Sequence, residues 1–263
     1  MQEPDLKLLL EAAEEAGRIA SRFFKKSPAI WDKGDNQGPV TEADLAINTM
    51  LEAELQAARP DYGWLSEETE DDCTRGEASS LFIVDPIDGT RAFIEGSRTF
   101  ATSLGIAVGG VAQVGVVHLP ELEKTYSAVK GGGAFLNGEP ISHLPHEGEE
   151  GATILSNKLN LTPEYWPQGV PPVERHFRSS LAYRLSLVGE GRFNGMLTLR
   201  PTWEWDIAAG SLIAEEAGAT VTTQKGGPLR FNNKTPQVSG VLAAGDTLHR
   251  SLLARLAPAD IDT

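Results

Sequence analysis

Cysteine is nearly missing from this 263-residue sequence: Cys73 stands alone, so no internal disulfide can form and the small, cross-linked secreted class is excluded. Basic residues are also scarce, 23 Lys plus Arg against 37 Asp plus Glu, and a formal net charge of -14 argues against a chain that grips a nucleic-acid polymer through its phosphates. No apolar run is long enough for a membrane span. The longest, residues 103–117, is broken by Gly105, Gly109, Gly110, Gln113 and Gly115. The first ten residues lack the basic-then-apolar layout of a secretory signal, which together with the lone thiol sets the expectation of a soluble, cytoplasmic protein. Low-complexity tails and fixed-period repeats are absent. The five histidines show no metal-ligand spacing, since His143 and His146 fall in a Pro/Gly-rich loop.

What is present supports a sizeable core: 40% of residues are hydrophobic, and the 27 glycines and 16 prolines are spread along the chain. Leu6, Leu9, Leu10, Ala13, Ala16, Ile19, Ala20, Phe23 and Phe24 recur at spacings of three and four, one buried stripe on a long first helix. Thr41 is a capable N-cap for a second helix that runs through Leu45, Met50, Leu51 and Leu55 to Pro60. Leu81-Phe82-Ile83-Val84 reads as a buried strand ending at Asp85-Pro86. Residues 102–108 and 111–117 form a hairpin around Gly109-Gly110, and 124–129 a further strand. Beyond Gly131 the spacing predicts strands near 153–156, 219–223 and 240–244, and helices near 180–188, 206–217 and 248–256. Irregular alternation of this kind favours a layered αβ sandwich over a doubly wound sheet or a barrel. We read 1–263 as a single α+β domain with an N-terminal lobe of about 1–140 and a C-terminal lobe of about 141–263, parted within the Gly/Pro-rich stretch 131–151.

Chemistry concentrates at Asp85-Pro86-Ile87-Asp88-Gly89-Thr90. Two carboxylates three positions apart, with proline stiffening the backbone between them, can converge on hard cations, and oxygen donors select magnesium or manganese over zinc. Gly89 and Thr90 at the start of a helical segment would offer backbone N–H groups to a phosphate. Taken alone, the same pentapeptide also reads as a turn after a strand. Glu67-Glu68 after Trp64-Leu65 adds carboxylates, or is plain surface. Asp206 opens a helix of small residues, or is a plain N-cap; Thr41-Glu42-Ala43-Asp44 has the spacing of a capping box.

In order along the chain, Val40-Thr41-Glu42-Ala43-Asp44, Ser66-Glu67-Glu68, Val84 to Thr90, Gly132 to Gly138 and Glu204 to Gly210 resemble the inositol monophosphatase superfamily of magnesium-dependent, lithium-sensitive phosphatases. The resemblance implies the αβαβα sandwich of that family and a phosphomonoesterase using two or three Mg2+ ions, with Mn2+ as a substitute. It implies that Glu67, Asp85, Asp88, Asp206 and the carbonyl of Ile87 bind the metals. Phosphate would rest on the backbone of Asp88, Gly89 and Thr90. Asp44 paired with Thr90 would orient and partly deprotonate a metal-bound water, Asp44 also reaching a weaker third metal, with Glu68 behind. Glu67 and Asp88 thereby join Asp44 and Thr90 as catalytic candidates. Lys33 would lie near the phosphate, although an exposed loop lysine reads equally well as solvated. The acidic neighbours Glu70, Asp71 and Asp72 make Cys73 a poor nucleophile, and no covalent phosphoenzyme is required.

Inositol phosphatases of the family usually carry a glutamate seven residues before the aspartate matched by Asp206; here that position is Leu199. Gly38 to Asp44 and Pro201 to Asp206 are more similar to CysQ-type bisphosphate nucleotidases, which points to adenosine 3',5'-bisphosphate. Inositol 1-phosphate, histidinol phosphate and fructose 1,6-bisphosphate stay open as alternatives, as does a non-catalytic binding module. Arg178, Ser179, Arg184 and Glu204 are candidate substrate contacts, with Ser156-Asn157-Lys158, Ser180 and Trp203 on the same wall. A homodimer would be in keeping with relatives of the family.

Overall fold

The computed structural model describes residues 2–32, 34, 38–71 and 74–256. In chain order its elements are α1 (Gln2–Phe23), β1 (Ile30–Asp32), β2 (Pro39–Thr41), α2 (Glu42–Ala58), β3 (Gly63–Ser66), β4 (Ser80–Asp88), α3 (Thr90–Ile94), β5 (Ala101–Val108), β6 (Val111–Leu119), β7 (Lys124–Val129), β8 (Gly133–Leu136) and β9 (Glu139–Ile141). After residue 141 come β10 (Thr153–Leu155), β11 (Glu174–His176), α4 (Leu181–Gly189), β12 (Gly195–Trp203), α5 (Ala208–Glu216), β13 (Thr220–Thr222), β14 (Gln237–Ala244) and α6 (Asp246–Arg255).

Two sheets carry the architecture. Strands β3 to β9 lie side by side in sequence order, antiparallel except for the parallel β3–β4 pair. The second sheet runs β11-β10-β12-β14-β13, with β10 parallel to both its neighbours. The stripe of α1 (Leu9, Ala13, Ala16, Ala20) and that of α2 (Ile47, Leu51, Leu55) bury against Phe82, Val84, Leu104, Val114 and Val116 on one face of the first sheet. Alternate residues of the same strands (Ile83, Val117, Ala128) meet α4 and α5, which in turn meet Met196, Val221 and Val241 of the second sheet. Leu248 and Leu252 of α6 cover the far face with Trp166, Leu197 and Leu242. The order is therefore helix pair, sheet, helix pair, sheet, helix: the expected αβαβα sandwich. Among the described residues no helix is long and apolar enough to cross a membrane.

Close approach in the central layer depends on small side chains. A Cβ built on Gly210 of α5 would lie 2.8 Å from Leu185 Cβ and 2.9 Å from the Ala182 carbonyl of α4. We expect Gly210→Ala to force these helices apart and cost about 1–3 kcal/mol, lowering Tm by roughly 5 °C in a calorimetric scan. An unchanged Tm would mean the interface is looser than these distances imply.

Candidate metal and phosphate site

The site begins at a capped helix. Thr41 Oγ1 accepts from the amides of Ala43 (3.2 Å) and Asp44 (3.4 Å), while Asp44 Oδ2 accepts from the Thr41 amide (2.9 Å) and its hydroxyl. The capping box thus consumes one oxygen of a fully buried Asp44 and leaves Oδ1 facing Thr90, whose hydroxyl lies 3.4 Å from it and 3.2 Å from the Ile87 carbonyl. Asp44, Thr90 and Ile87 therefore meet although 46 positions separate the first two.

The strand delivering the acidic motif is longer than its apolar run. β4 continues through Pro86 to Asp88, and its pairing with β5 shifts between Asp85 and Asp88, where a proline cannot donate to the ladder. The shift aims Asp85 and Asp88 the same way. Gly89 follows at φ +99°, a left-handed conformation that suits glycine, and starts α3, whose first-turn amides have no partner inside the helix.

Asp88 is held from the other half of the chain. Its Oδ2 accepts from Ser180 Oγ (2.6 Å) and the Ala182 amide (2.7 Å) at the start of α4. Asp206 arrives from the second sheet, in the turn after β12. It does not open α5 as the sequence pattern suggests: the helix begins at Ala208, and the Glu204 carbonyl accepts from the amides of Ile207 (3.2 Å) and Ala208 (2.9 Å) in the turn that carries Asp206.

Asp85, Asp88 and Asp206 each bring an oxygen within 4.8 Å of the others. Burial first, then Glu67, Asp88, Asp206 and Glu68, push the Asp85 carboxyl well above the usual carboxylate range. Burial, with Asp88 and Glu67, does the same to Asp206 against the opposing charges of Arg200 and Arg184. Asp88 is raised by burial to about 6 even though Ser180, Ala182, Leu181 and Arg184 favour its charged form. Asp85 Oδ1 is buried with no hydrogen-bond partner. Such an oxygen is costly on its own, and a cluster of mutually repelling carboxylates with an orphaned acceptor is the donor set a hard divalent cation neutralises. The residues present fit Mg2+ or Mn2+.

Above the carboxylates opens a cleft of about 530 Å³ lined by Glu67, Asp85, Asp88, Gly89, Thr90, Ser179, Arg184 and Asp206 among others. Burial lowers the Arg184 pKa to about 10; its Nε donates to the Arg178 carbonyl, and its guanidinium lies 4.4 Å from the centre of the Phe177 ring. Arg91, Asn160, Thr198, Arg200 and Trp203 also line the cleft. Of these, Arg91, Asn160 and Arg200 carry no signal strong enough to single them out in the sequence. Trp203 is stacked on Trp205, ring centres 4.8 Å apart and 8° from parallel, so its opposite face is the one left for a ligand.

Two expected substrate contacts do not reach the cleft. Glu204 is completely buried on the other side of β12, where it accepts from the amides of Asn232 (2.7 Å) and Asn233 (2.9 Å) and from Asn233 Nδ2 (2.8 Å). Strand alternation explains this: Glu204 follows Trp203 and takes the opposite face. Arg178 is half-buried outside the lining, donating to the Phe177 carbonyl (2.6 Å) and covering the Phe193 ring. Lys33 lies outside the described residues. Leu199 is buried in the core behind the second sheet, while Thr198 and Arg200 on either side of it face the cleft.

Comparison with known proteins agrees with this geometry. The chain is 31% identical to a histidinol-phosphatase of Chlorobaculum parvum (98% of this chain, 99% of that one) and 32% identical to an inositol-1-monophosphatase of Mesorhizobium japonicum (94% of each). It is 29% identical to the 3'(2'),5'-bisphosphate nucleotidase CysQ of Aggregatibacter actinomycetemcomitans, over 91% of each. The crystal structure of the extragenic suppressor protein suhB from Bartonella henselae superposes with a TM-score of 0.81 at 27% identity, covering 96% of this chain and 98% of that one. The sequence profile of the inositol monophosphatase family matches residues 1–260. With the carboxylate cluster in place and the profile spanning nearly every residue, the chain belongs to the inositol monophosphatase family and is a metal-dependent phosphomonoesterase.

Proposed function

We propose that the physiological substrate is a small nucleotide carrying two phosphates, represented by adenosine 3',5'-bisphosphate, from which one phosphate is removed. The observation that carries this reading is the pairing of a carboxylate cluster with Arg91, Arg184, Arg200 and the open face of Trp203 in one cleft, while Leu199 turns into the core. Cations at the cluster suffice for the phosphate that is cleaved. Separate arginines beyond it suit a second phosphate, which a guanidinium meets with a forked pair of hydrogen bonds, and an indole face suits a base.

In this reading Glu67, Asp85, Asp88, Asp206 and the Ile87 carbonyl would hold Mg2+, which would supply acidification of a water and neutralisation of charge on the phosphoryl group. Thr90 Oγ1 accepts a proton from the attacking water and passes its own to Asp44 Oδ1, 3.4 Å away. The first-turn amides of α3 receive the phosphoryl oxygens. The water oxygen bonds to phosphorus, the ester P–O bond breaks on the opposite side, and the alcohol leaves protonated from solvent. Arg184, pinned by the Arg178 carbonyl and the Phe177 ring, holds the remainder of the substrate without having to be ordered on binding.

Comparing kcat/KM for adenosine 3',5'-bisphosphate, inositol 1-phosphate, histidinol phosphate and fructose 1,6-bisphosphate, with and without Mg2+, tests the proposal. The adenosine compound is expected to lead, and Arg200→Met to raise its KM by roughly 10- to 100-fold through loss of a charged hydrogen bond, with little effect on inositol 1-phosphate. The reading fails if the adenosine compound is the poorest of the four. Preference for histidinol phosphate would instead align the chain with its Chlorobaculum relative.

A further inference from the structure

A half-buried chain of hydrogen bonds, with Arg75 and Glu204 as its buried members, lies outside the carboxylate cluster and joins two of the acidic segments that meet there. It starts in the loop that follows β3 and carries Glu67. At the end of that loop Asp71 is gripped by Arg75, whose Nε lies 3.0 Å from both carboxylate oxygens and whose Nη2 is 2.7 Å from Oδ2. Arg75 is 5% exposed, and the rest of its fork crosses to the second half of the chain. Nη1 donates to Asn232 Oδ1 and Nη2 to the Asn233 carbonyl at 2.9 Å, while Asn232 Nδ2 returns a bond of 3.3 Å to the Arg75 carbonyl.

Asn232 has φ +68°, a left-handed conformation asparagine tolerates. The amides of Asn232 and Asn233 both donate to the carboxylate of Glu204, one to each oxygen. They form a small backbone nest around it. Glu204 sits two residues before Asp206, and its own carbonyl closes the turn in which Asp206 is displayed. The sequence Asp71, Arg75, Asn232-Asn233, Glu204 thus runs without a break from the Glu67 loop of the first sheet to the Asp206 turn of the second.

Glu67 and Asp206 are like charges that repel across the site. Left to themselves, the two segments would relax apart, and a cation would have to draw them together at the expense of its own affinity. We propose that Arg75 and Glu204 are positioning residues: the strap they form holds the Glu67 loop and the Asp206 turn at the cation-binding separation, and so sets the affinity for the divalent metal. The inference rests on the reading that Glu67 and Asp206 hold a cation. Neither Arg75 nor Glu204 lines the cleft, so the effect reaches the metal through backbone placement alone.

Titration of the full chain with Mn2+, followed by calorimetry and by loss of the free-ion spin-resonance signal, measures this directly. Glu204→Gln and Arg75→Met are expected to weaken Mn2+ binding at least tenfold. Arg75→Lys, which keeps the charge but loses the fork, falls between them and wild type. At saturating Mg2+ the KM for the ester should stay within twofold and kcat within threefold. Tyr126→Phe, which removes the contact to Glu190 away from the cleft, serves as a control that lowers Tm without moving Mn2+ affinity. If Arg75→Met does not fold, Asn233→Ala, which deletes the side-chain bonds to Glu204 and to the Arg230 carbonyl and spares Arg75, carries the comparison. Folded variants that bind Mn2+ within twofold of wild type overturn the strap while leaving the cation site intact. A control whose affinity falls in proportion to its Tm overturns it as well, and absence of Mn2+ binding by wild type overturns both the strap and the site it serves.

Discussion

Asp88→Asn should reduce kcat/KM on any phosphate ester by roughly 10^3-fold, the order of loss when one pre-aimed electrostatic group is removed from a reacting centre. The fold should survive. The carbonyl oxygen of the substituted amide can still accept from Ser180 Oγ and the Ala182 amide, the two bonds that tie this position to α4. What disappears is one of the negative charges that crowd Asp85 and Asp206. Without metal at pH 8 the variant should therefore be at least as stable as wild type, and its Tm should no longer rise on adding Mg2+. Activity and metal-dependent stability are expected to fall together, since both rest on the same carboxylate. Full activity in a folded Asp88→Asn protein would remove Asp88 from the metal site.

Metal should stabilise the wild-type protein far more at pH 8 than at pH 5. The sign follows from the direction of the shifts. Asp88 has its carboxyl raised by burial from 3.8 to about 6, and Asp85 and Asp206 are raised well above 3.8. Each binds its proton more tightly folded than unfolded, so its favourable contribution is complete below about pH 4 and is lost as pH climbs through the folded value. For Asp88 alone that amounts to about 3 kcal/mol lost by pH 8 at ~1.4 kcal/mol per unit. A divalent ion binds the deprotonated set and reverses the loss, contributing about 3 kcal/mol at a hundred times its dissociation constant. In a chain of this size that corresponds to a Tm increase of roughly 6–10 °C at pH 8, and little at pH 5, where protons compete for the same oxygens. Scans at both pH values, in EDTA and in Mg2+, measure the difference. Equal shifts at the two pH values would show that metal binds away from Asp85, Asp88 and Asp206.

Much of the site can be read from the sequence because local chemistry marks it. Thr41 and Asp44 have capping-box spacing and form that box. The abrupt end of an apolar run at Asp85-Pro86 points to the sheet edge where the acidic motif emerges, and the small residues after Asp206 point to the close α4–α5 contact. The parts that escape are those whose cause is distant in sequence. Residues 195–203 give no strand reading, because Arg200-Pro201 interrupts the alternation; the structure makes them β12, a central strand whose register with β14 shifts between Thr198 and Pro201. Thr198 and Arg200 share the cleft face by ordinary alternation, and the irregularity after them brings Trp203, at an odd spacing, to the same cleft. Asn160 steadies it, accepting from the Leu199 amide at 3.2 Å and donating to the Leu197 carbonyl at 3.3 Å. A lone asparagine before a Pro-containing loop offers no hint of this. Ser180 is legible as a helix start but not as the partner of a carboxylate 92 positions earlier, and Glu204 looks like a substrate contact until strand parity turns it away.

That grip of Ser180 and Ala182 on Asp88 has a bearing on how the enzyme is born. The first 140 residues contain Asp44, Glu67, Asp85, Asp88 and Thr90, yet the groups that fix Asp88 and the last carboxylate of the cluster lie beyond residue 179. On the proposed assignment, hydrolytic competence would be a late event of synthesis, gained only when the second sheet docks through contacts of long sequence separation, a slow class of step. Until then a nascent chain would carry an incomplete acidic mouth, without the carboxylate that Asp206 adds.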